Sequence, residues 1–157
     1  MSATPAPELT REAVFRALHK VEDPEVPVDI VNLGLVHEVV IEGSRVEVTL
    51  SPTYAACPGR AQIVEQARAH LAEIAADVEI RWSTEPHWKR RLITSRAARE
   101  LREFGVGLPE GVDLKLVCPF CGSRRVRLDN EFGSAVCKSL FYCDSCQNPF
   151  ESLRGAW

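Results

Sequence analysis

The sequence predicts an α+β protein in which helices pack on a small mixed sheet in two layers, followed by a small β domain held together by a metal ion. Three observations lead to this prediction. Apolar residues recur at helical spacing in three segments, short segments alternate apolar and polar residues, and two Cys-x-x-Cys pairs lie in the last third. The order helix–strand–strand–helix–strand is typical of a two-layer unit. We place the first domain at residues 8–110 and the second at 111–157.

The first helix is predicted to begin after Thr10, whose hydroxyl can accept a hydrogen bond from a free backbone N–H. Pro24 ends this part of the chain because proline has no N–H to continue a helix. Residues 36–41 and 45–50 are predicted strands around a turn that contains Gly43. The apolar stripe of the helix consists of Val14, Ala17, Leu18 and Val21.

A second helix is predicted after Pro58, a third strand at residues 78–82, and a third helix after Thr94. Gly105 and the residues after it should end the third helix. The two helices have apolar stripes that should face the core. In the second helix the stripe is Ile63, Ala67, Leu71 and Ile74, and in the third it is Ile93, Ala97, Leu101 and Phe104.

The two Cys-x-x-Cys pairs predict a metal site. Four thiolates in two pairs match the tetrahedral sulfur cage of zinc or of a single iron ion. Gly122 follows the first pair, where a tight turn can aim backbone N–H groups at the sulfur atoms. Four unrelated thiols or two disulfides are the alternatives, which the missing export signal disfavours. We predict a C-terminal β zinc ribbon with structural zinc on Cys118, Cys121, Cys143 and Cys146.

Composition excludes several functional classes. The formal net charge of −3 is too small to indicate nucleic-acid binding, and the ribbon segment is nearly neutral. No apolar run approaches the roughly 18 residues of a membrane span, and the N-terminus does not resemble a signal peptide. Six cysteines without an export signal predict a reducing, cytoplasmic location. A homodimer is left open.

Cys57 is the strongest candidate for chemistry in the first domain. It precedes Pro58 where a helix N-cap is expected, so free N–H groups and the helix dipole should favour its thiolate. The alternative is a small buried apolar residue. Asp23 and Glu25 bracket Pro24 at the end of the first helix, where acidic groups oppose the dipole. We expect these two, Thr53 and Cys57 to form one site, although a solvated turn is the simpler interpretation of the acidic pair.

Other features carry weaker predictions. Residues 81–102 hold seven basic and two acidic side chains, which could dock an acidic partner but are as consistent with a solvated helix face. Cys137 is the odd cysteine of the ribbon, and because four ligands are already supplied we interpret it as a packed thiol. The four histidines show no ligand spacing, so we treat them as ordinary surface or packing residues.

Taken together, these residues resemble a known family. Asp23-Pro24-Glu25, Asn32-Leu33-Gly34-Leu35 and the segment Pro-Thr-Tyr-Ala-Ala-Cys-Pro at 52–58 are similar to three motifs of SufT-type iron–sulfur cluster assembly factors. Residues 132–143 and the Cys pairs that frame them are similar to the zinc ribbon of the PaaD family, whose members are accessory subunits of the phenylacetyl-CoA 1,2-epoxidase (phenylacetate-CoA oxygenase) complex. The chain departs from the pattern at Asn32, where relatives often have Asp, and at Ala55-Ala56, which replace a Gly-containing turn.

The resemblance implies a non-catalytic accessory subunit in phenylacetate catabolism that assists maturation or insertion of iron or iron–sulfur centres. Its partners would be the other subunits of the oxygenase. Cys57, Asp23, Glu25 and Thr53 would handle a transient iron ion or cluster, while the four ribbon cysteines hold zinc. The chain itself lacks the paired Glu-x-x-His ligands of a di-iron helix bundle. A rubredoxin-like electron-transfer protein and a general iron–sulfur assembly factor are the alternatives.

Overall fold

The computed structural model describes residues 8–154, and its first part is the predicted two-layer α+β unit. Helix α1 spans Arg11–Leu18, strands β1 and β2 span Val36–Glu42 and Arg45–Leu50, helix α2 spans Arg60–Leu71, and strand β3 spans Asp77–Trp82. The sheet order is β1-β2-β3, with β1 antiparallel and β3 parallel to β2. The sheet is therefore mixed, as predicted, and β2 is its central strand.

The core of this unit lies between the helices and the sheet. The apolar side of β2 is buried as predicted, because Val46, Val48 and Leu50 are fully buried. Thr49 on the opposite side is buried too, so that side is not solvent-exposed along its whole length. Helix α1 contributes Val14 and Leu18 to this core. Helix α2 contributes its predicted apolar residues Ile63, Ala67 and Leu71. Thr10 caps α1 by accepting a hydrogen bond from the Ala13 N–H at 3.1 Å. No helix among residues 8–154 has both the length and the apolar character that a membrane crossing requires.

The segment between β3 and the third helix packs back onto the first loop. Trp88 is buried, and its indole N–H donates to the Leu33 carbonyl at 2.9 Å. Asn32 donates its amide to Asp29 at 2.6 Å and accepts from the Thr94 hydroxyl at 2.8 Å. The Asn32-Leu33-Gly34-Leu35 motif therefore has a structural task, which is to anchor the segment that leads into the third helix.

The third helix, α3, spans Ser95–Glu103, and Thr94 caps it as predicted. Several details at the helix ends differ from the prediction. Helix α1 already ends at Leu18, so Val21, although fully buried, and the Asp23-Pro24-Glu25 segment lie beyond it, and Ile93 precedes α3. Phe104 is 57% exposed rather than buried, because α3 ends at Glu103 and Gly105 turns the chain with a φ of +91°. Ile74 lies beyond the end of α2, although it still packs against the core.

The C-terminal part is a β ribbon of six short strands, of which the first follows α3 directly. Strands β4 to β9 span Val106–Gly107, Pro109–Glu110, Lys115–Leu116, Val126–Asn130, Lys138–Cys143 and Pro149–Leu153. The four-stranded sheet has the order β4-β9-β8-β7, and β4 runs parallel to β9. Strands β5 and β6 form a separate pair. Three ribbon residues, Val106, Leu108 and Leu153, join the hydrophobic core of the first unit, so the two parts share packing.

Gly34 offers a stability test of this packing. Its φ is +82°, and an added Cβ would lie 2.5 Å from the Leu92 Cβ. Gly34→Ala should therefore cost about 3 kcal/mol, from left-handed backbone strain and overpacking together. Gly43 in the β1–β2 turn has a φ of +60° with open space around its Cα, so Gly43→Ala should cost only about 1 kcal/mol. Urea unfolding of both variants checks this, and equal losses would contradict the close approach to Leu92.

Candidate functional site

The four ribbon cysteines form a cage. Their sulfur atoms all lie within 4.8 Å of one another, and two of the pairs are 3.7 Å and 3.6 Å apart. A tetrahedron with metal–sulfur bonds of about 2.3 Å has edges of about 3.8 Å, so the donor set fits zinc or a single iron ion. Among residues 8–154, this is the only group of three or more Cys, His, Asp or Glu side chains that could hold a metal ion.

Two equivalent turns build the cage. In the first, the Gly122 N–H donates to the Cys118 carbonyl at 3.0 Å, and Gly122 has a φ of +74°. In the second, the Gln147 N–H donates to the Cys143 carbonyl at 2.9 Å, and Gln147 takes the left-handed conformation at +59°. The first turn was predicted from Gly122. The second has no glycine, so its equivalence was not visible in the sequence.

The polarity of these turns suits thiolate ligands. Backbone N–H groups of Cys146 and Ser145 donate to the Cys143 sulfur and lower the pKa of that thiol to about 6, although burial opposes them. Cys118 and Cys143 are buried, Cys146 is half-buried and Cys121 is exposed. With four ligands present the cage is closed, which is typical of a structural site rather than a catalytic one.

Cys57 lies in a different position from the one predicted. Helix α2 begins at Arg60 with Gly59 as its N-cap, so Cys57 precedes the helix by three residues and is not its cap. The reason is that the Cys57 N–H donates to the Tyr54 carbonyl at 3.0 Å, which closes a turn before the helix starts. The Gly59 N–H nevertheless donates to the Cys57 sulfur. The thiol is half-buried.

The acidic loop and the Cys57 loop do meet. Gly59 packs so closely on Pro24 that an added Cβ would overlap its ring. Asp23 accepts a hydrogen bond from the Glu25 N–H at 2.8 Å. The pKa of Asp23 is raised, chiefly because it is partly buried and also because Glu25 repels its charge. Both carboxylates act electrostatically on the Cys57 thiol, so the loop of residues 23–25 borders it.

Thr53 was expected to join this site, but it lies on the wall of a cavity of about 550 Å³ whose lining does not include Cys57, Asp23 or Glu25. The cavity is bounded by the loop before Cys57, by residues 83–86, by Trp88 and by Arg154. The Arg154 guanidinium stacks on the rings of Tyr54 and Phe132, 4.8 Å from each centroid. A residue from the end of the ribbon therefore completes this wall.

Cys137, which the sequence analysis interpreted as a packed thiol, is the neighbour that most affects Cys57. Cys137 is buried, and two contacts bring it to the Cys57 loop. Its carbonyl accepts from the Arg154 N–H at 2.7 Å, and the Arg154 guanidinium stacks on Tyr54, whose carbonyl accepts from the Cys57 N–H. The Cys137 thiol is the main cause that lowers the pKa of Cys57, whereas the Cys57 thiol, burial and the nearby negative charges raise the pKa of Cys137. Lys138, next in sequence, donates its ammonium to the Glu25 carbonyl at 2.9 Å. The sequence held one signal for this role, because Cys137 is the ribbon cysteine that remains after the cage has its four ligands.

Some basic residues of segment 81–102 and two of the histidines make contacts within the fold. Arg96 pairs with Glu100 at 2.9 Å and Arg102 pairs with Glu110, both at exposed positions where such pairs contribute little. The rings of His37 and His87 stack with centroids 3.9 Å apart. This stack is a packing contact that histidine spacing in the sequence did not indicate.

Comparison with known proteins assigns the two parts separately. Residues 11–82 match a family model described as iron–sulfur cluster assembly protein, and residues 107–154 match one described as PaaD zinc beta ribbon domain. The chain is 33% identical over 160 residues to a putative 1,2-phenylacetyl-CoA epoxidase subunit of Escherichia coli (strain K12), covering 97% of this chain and 96% of that one.

The first part also resembles shorter proteins. It is 37% identical over 86 residues to the Fe-S protein maturation auxiliary factor YitW of Bacillus subtilis (strain 168), covering 53% of this chain and 84% of that one. A solved structure, the conserved hypothetical protein TM0487 from Thermotoga maritima, aligns with a TM-score of 0.54 at 29% identity and covers 68% of this chain and 100% of that one.

The cage predicts a specific metal content. Protein purified without chelators should contain one metal ion per chain, and zinc is the ion that a closed four-thiolate site most commonly holds. Cys143→Ser should lose most of the metal, because it removes a buried ligand. Cys57→Ser should keep it. Elemental analysis measures both variants, and loss of the metal from Cys57→Ser would contradict the separation of the two sites.

The effect of the Cys137 thiol predicts how Cys57 reacts. Its lowered pKa means that the thiolate, and hence alkylation by iodoacetamide, should persist to lower pH than for a free cysteine of pKa about 8.5. Cys137→Ala removes the main cause, so the midpoint of the rate–pH profile should rise. Peptide mass spectrometry follows Cys57 alone while metal protects the ribbon thiols. An unchanged midpoint would show that Cys137 does not stabilise the thiolate.

Proposed function

The chain belongs to the PaaD family, in which an iron–sulfur cluster assembly domain is joined to a PaaD zinc ribbon, and on that premise we propose that it is a non-catalytic accessory protein of the phenylacetyl-CoA epoxidase system. Its task is to assist maturation or insertion of the iron or iron–sulfur centres of that system. The observation that carries the proposal is the half-exposed Cys57 thiol, whose pKa is lowered, beside the Asp23–Glu25 loop and apart from the closed cage.

Cys57 has the properties that a carrier of iron requires. The thiolate is the metal-binding form of cysteine, and the lowered pKa of Cys57 makes that form available at a lower pH than in a free cysteine. The cargo is an iron ion or a cluster that must arrive and leave, so an incompletely filled ligand set serves better than a closed one. Asp23 and Glu25 place negative charge beside the thiol, which favours a bound cation. Thr53 joins the proposed site by its family resemblance and by its place on the adjacent cavity wall.

The cage of the ribbon would supply shape rather than reactivity. We assign structural zinc to Cys118, Cys121, Cys143 and Cys146, whose spacing fits a tetrahedral ion. The sheet held by this metal packs against the first unit and carries Lys138 and Arg154 to the edge of the Cys57 site. In this proposal the other epoxidase subunits are the partners, and the cytoplasm, where thiols stay reduced, is the location.

The similarity of the first part to Fe-S maturation auxiliary factors supports a second candidate, a general iron–sulfur assembly factor. The two differ in their clients. Loss of a general factor lowers the activity of unrelated iron–sulfur enzymes, whereas loss of a dedicated factor lowers that of the epoxidase alone. Electron transfer by a rubredoxin-like iron site in the cage is a third candidate, and a colourless protein that contains zinc would end it.

The proposal is tested by complementation. In a strain that lacks this chain, the wild-type gene should restore growth on phenylacetate and epoxidase activity, and Cys57→Ala should restore less than a tenth of that activity. Ala56→Ser, at the exposed neighbouring position, is the matched control and should restore it fully. Activity of an unrelated iron–sulfur enzyme in the same extracts separates the first two candidates. Full complementation by Cys57→Ala would refute the role given to this thiol.

A further inference from the structure

The ribbon places a second thiol at the Cys57 site and holds it there firmly. Cys137 is 3% exposed. Its carbonyl accepts a hydrogen bond from the Arg154 N–H at 2.7 Å, and the Lys138 N–H donates to the Ala135 carbonyl at 3.0 Å. Lys138 then pairs with Leu153 in the β8–β9 ladder. Cys137 therefore lies directly before β8, a strand of a hydrogen-bonded sheet. Arg154, which binds its carbonyl, also stacks on Tyr54 in the Cys57 loop and so links the two cysteines.

The next residue, Lys138, places a positive charge beside the acidic loop of residues 23–25. Lys138 is only 5% exposed, and burying an ammonium group is costly unless it has partners. Its partners belong to the acidic loop, since it donates to the Glu25 carbonyl and interacts favourably with the Asp23 carboxylate. A site that contains these carboxylates and gains thiolates needs such a cation, whereas a purely apolar packing of two thiols does not.

We propose that Cys57 and Cys137 together form a two-thiolate binding site for the iron cargo, with one ligand from each domain. The inference rests on the function proposed above and adds the second ligand. Binding of ferrous iron would convert two S–H groups into two Fe–S bonds and release two protons, without any change of oxidation state. No third metal-binding side chain in residues 8–154 joins the pair at ligand distance, so sulfide, solvent or a recipient protein can occupy the other positions.

A two-ligand site explains three observations with one arrangement. It accounts for the link through Arg154 between two cysteines from distant parts of the sequence, for the buried lysine beside them, and for the close packing of Gly59 on Pro24 that holds the acidic loop near the Cys57 sulfur. The sites also differ in a useful way, because the cage retains its ion with four ligands and the pair can release its cargo with two.

Anaerobic titration with ferrous iron alone tests the proposal on the full, zinc-loaded chain. Wild type should bind one iron per chain, and X-ray absorption should show two sulfur ligands from the protein. Cys137→Ser and Cys57→Ser should each lower the affinity at least tenfold and leave the zinc content unchanged. Ser139→Ala, two residues along the same strand, is the control and should bind as wild type does.

The outcomes separate the two proposals. If Cys137→Ser binds iron as wild type does while Cys57→Ser does not, Cys137 is only a packed thiol and the carrier function stands. If Cys57→Ser also binds normally, or wild type binds no iron, both cargo assignments are wrong. Should Cys137→Ser fold poorly, as a loss of zinc would reveal, the sulfur count in wild type still decides, because a single protein sulfur ligand would overturn the two-thiolate site.

Discussion

A buried ammonium group joins the two parts of this protein. Lys138 belongs to the first residue pair of the β8–β9 ladder, and its side chain reaches the carbonyl of Glu25 in the other part. An ammonium ion in a nearly dry site is tolerated only where a carbonyl and a carboxylate receive it. This contact fixes the acidic loop against the ribbon. Pro24 of that loop packs on Gly59, which lies next to the Cys57 sulfur. The arrangement of the candidate site depends on this contact.

Local patterns predicted much of the fold. Apolar periodicity located the three helices and the strands of the first sheet to within two or three residues, and Thr10 and Thr94 were correctly identified as caps. The Cys-x-x-Cys spacing identified all four cage cysteines, because metal ligands impose a short-range rule on the sequence. The errors at Phe104 and at the start of α2 occurred at helix ends, where a single turn decides the boundary.

What the sequence did not reveal depends on contacts between distant residues. Strand β4 has two residues, too few for any periodicity, so its pairing with β9 could not be anticipated. Cys137 is separated from Cys57 by most of the chain, and no spacing rule links two thiols brought together by packing. Lys138 would be taken for a solvent-exposed residue from its type alone, and only its 5% exposure shows otherwise.

Strand β8 connects the cysteine cage with the proposed iron-carrier site. It runs from Lys138 to Cys143, so one end borders the Cys57 site and the other supplies a buried ligand to the cage. Removal of the caged ion would free that end of the strand and loosen the register of the residues at the other. Under the proposed carrier function, the supply of the metal in the cage would then govern the handling of iron, and a cell short of zinc would lose the capacity to deliver iron even when iron is plentiful.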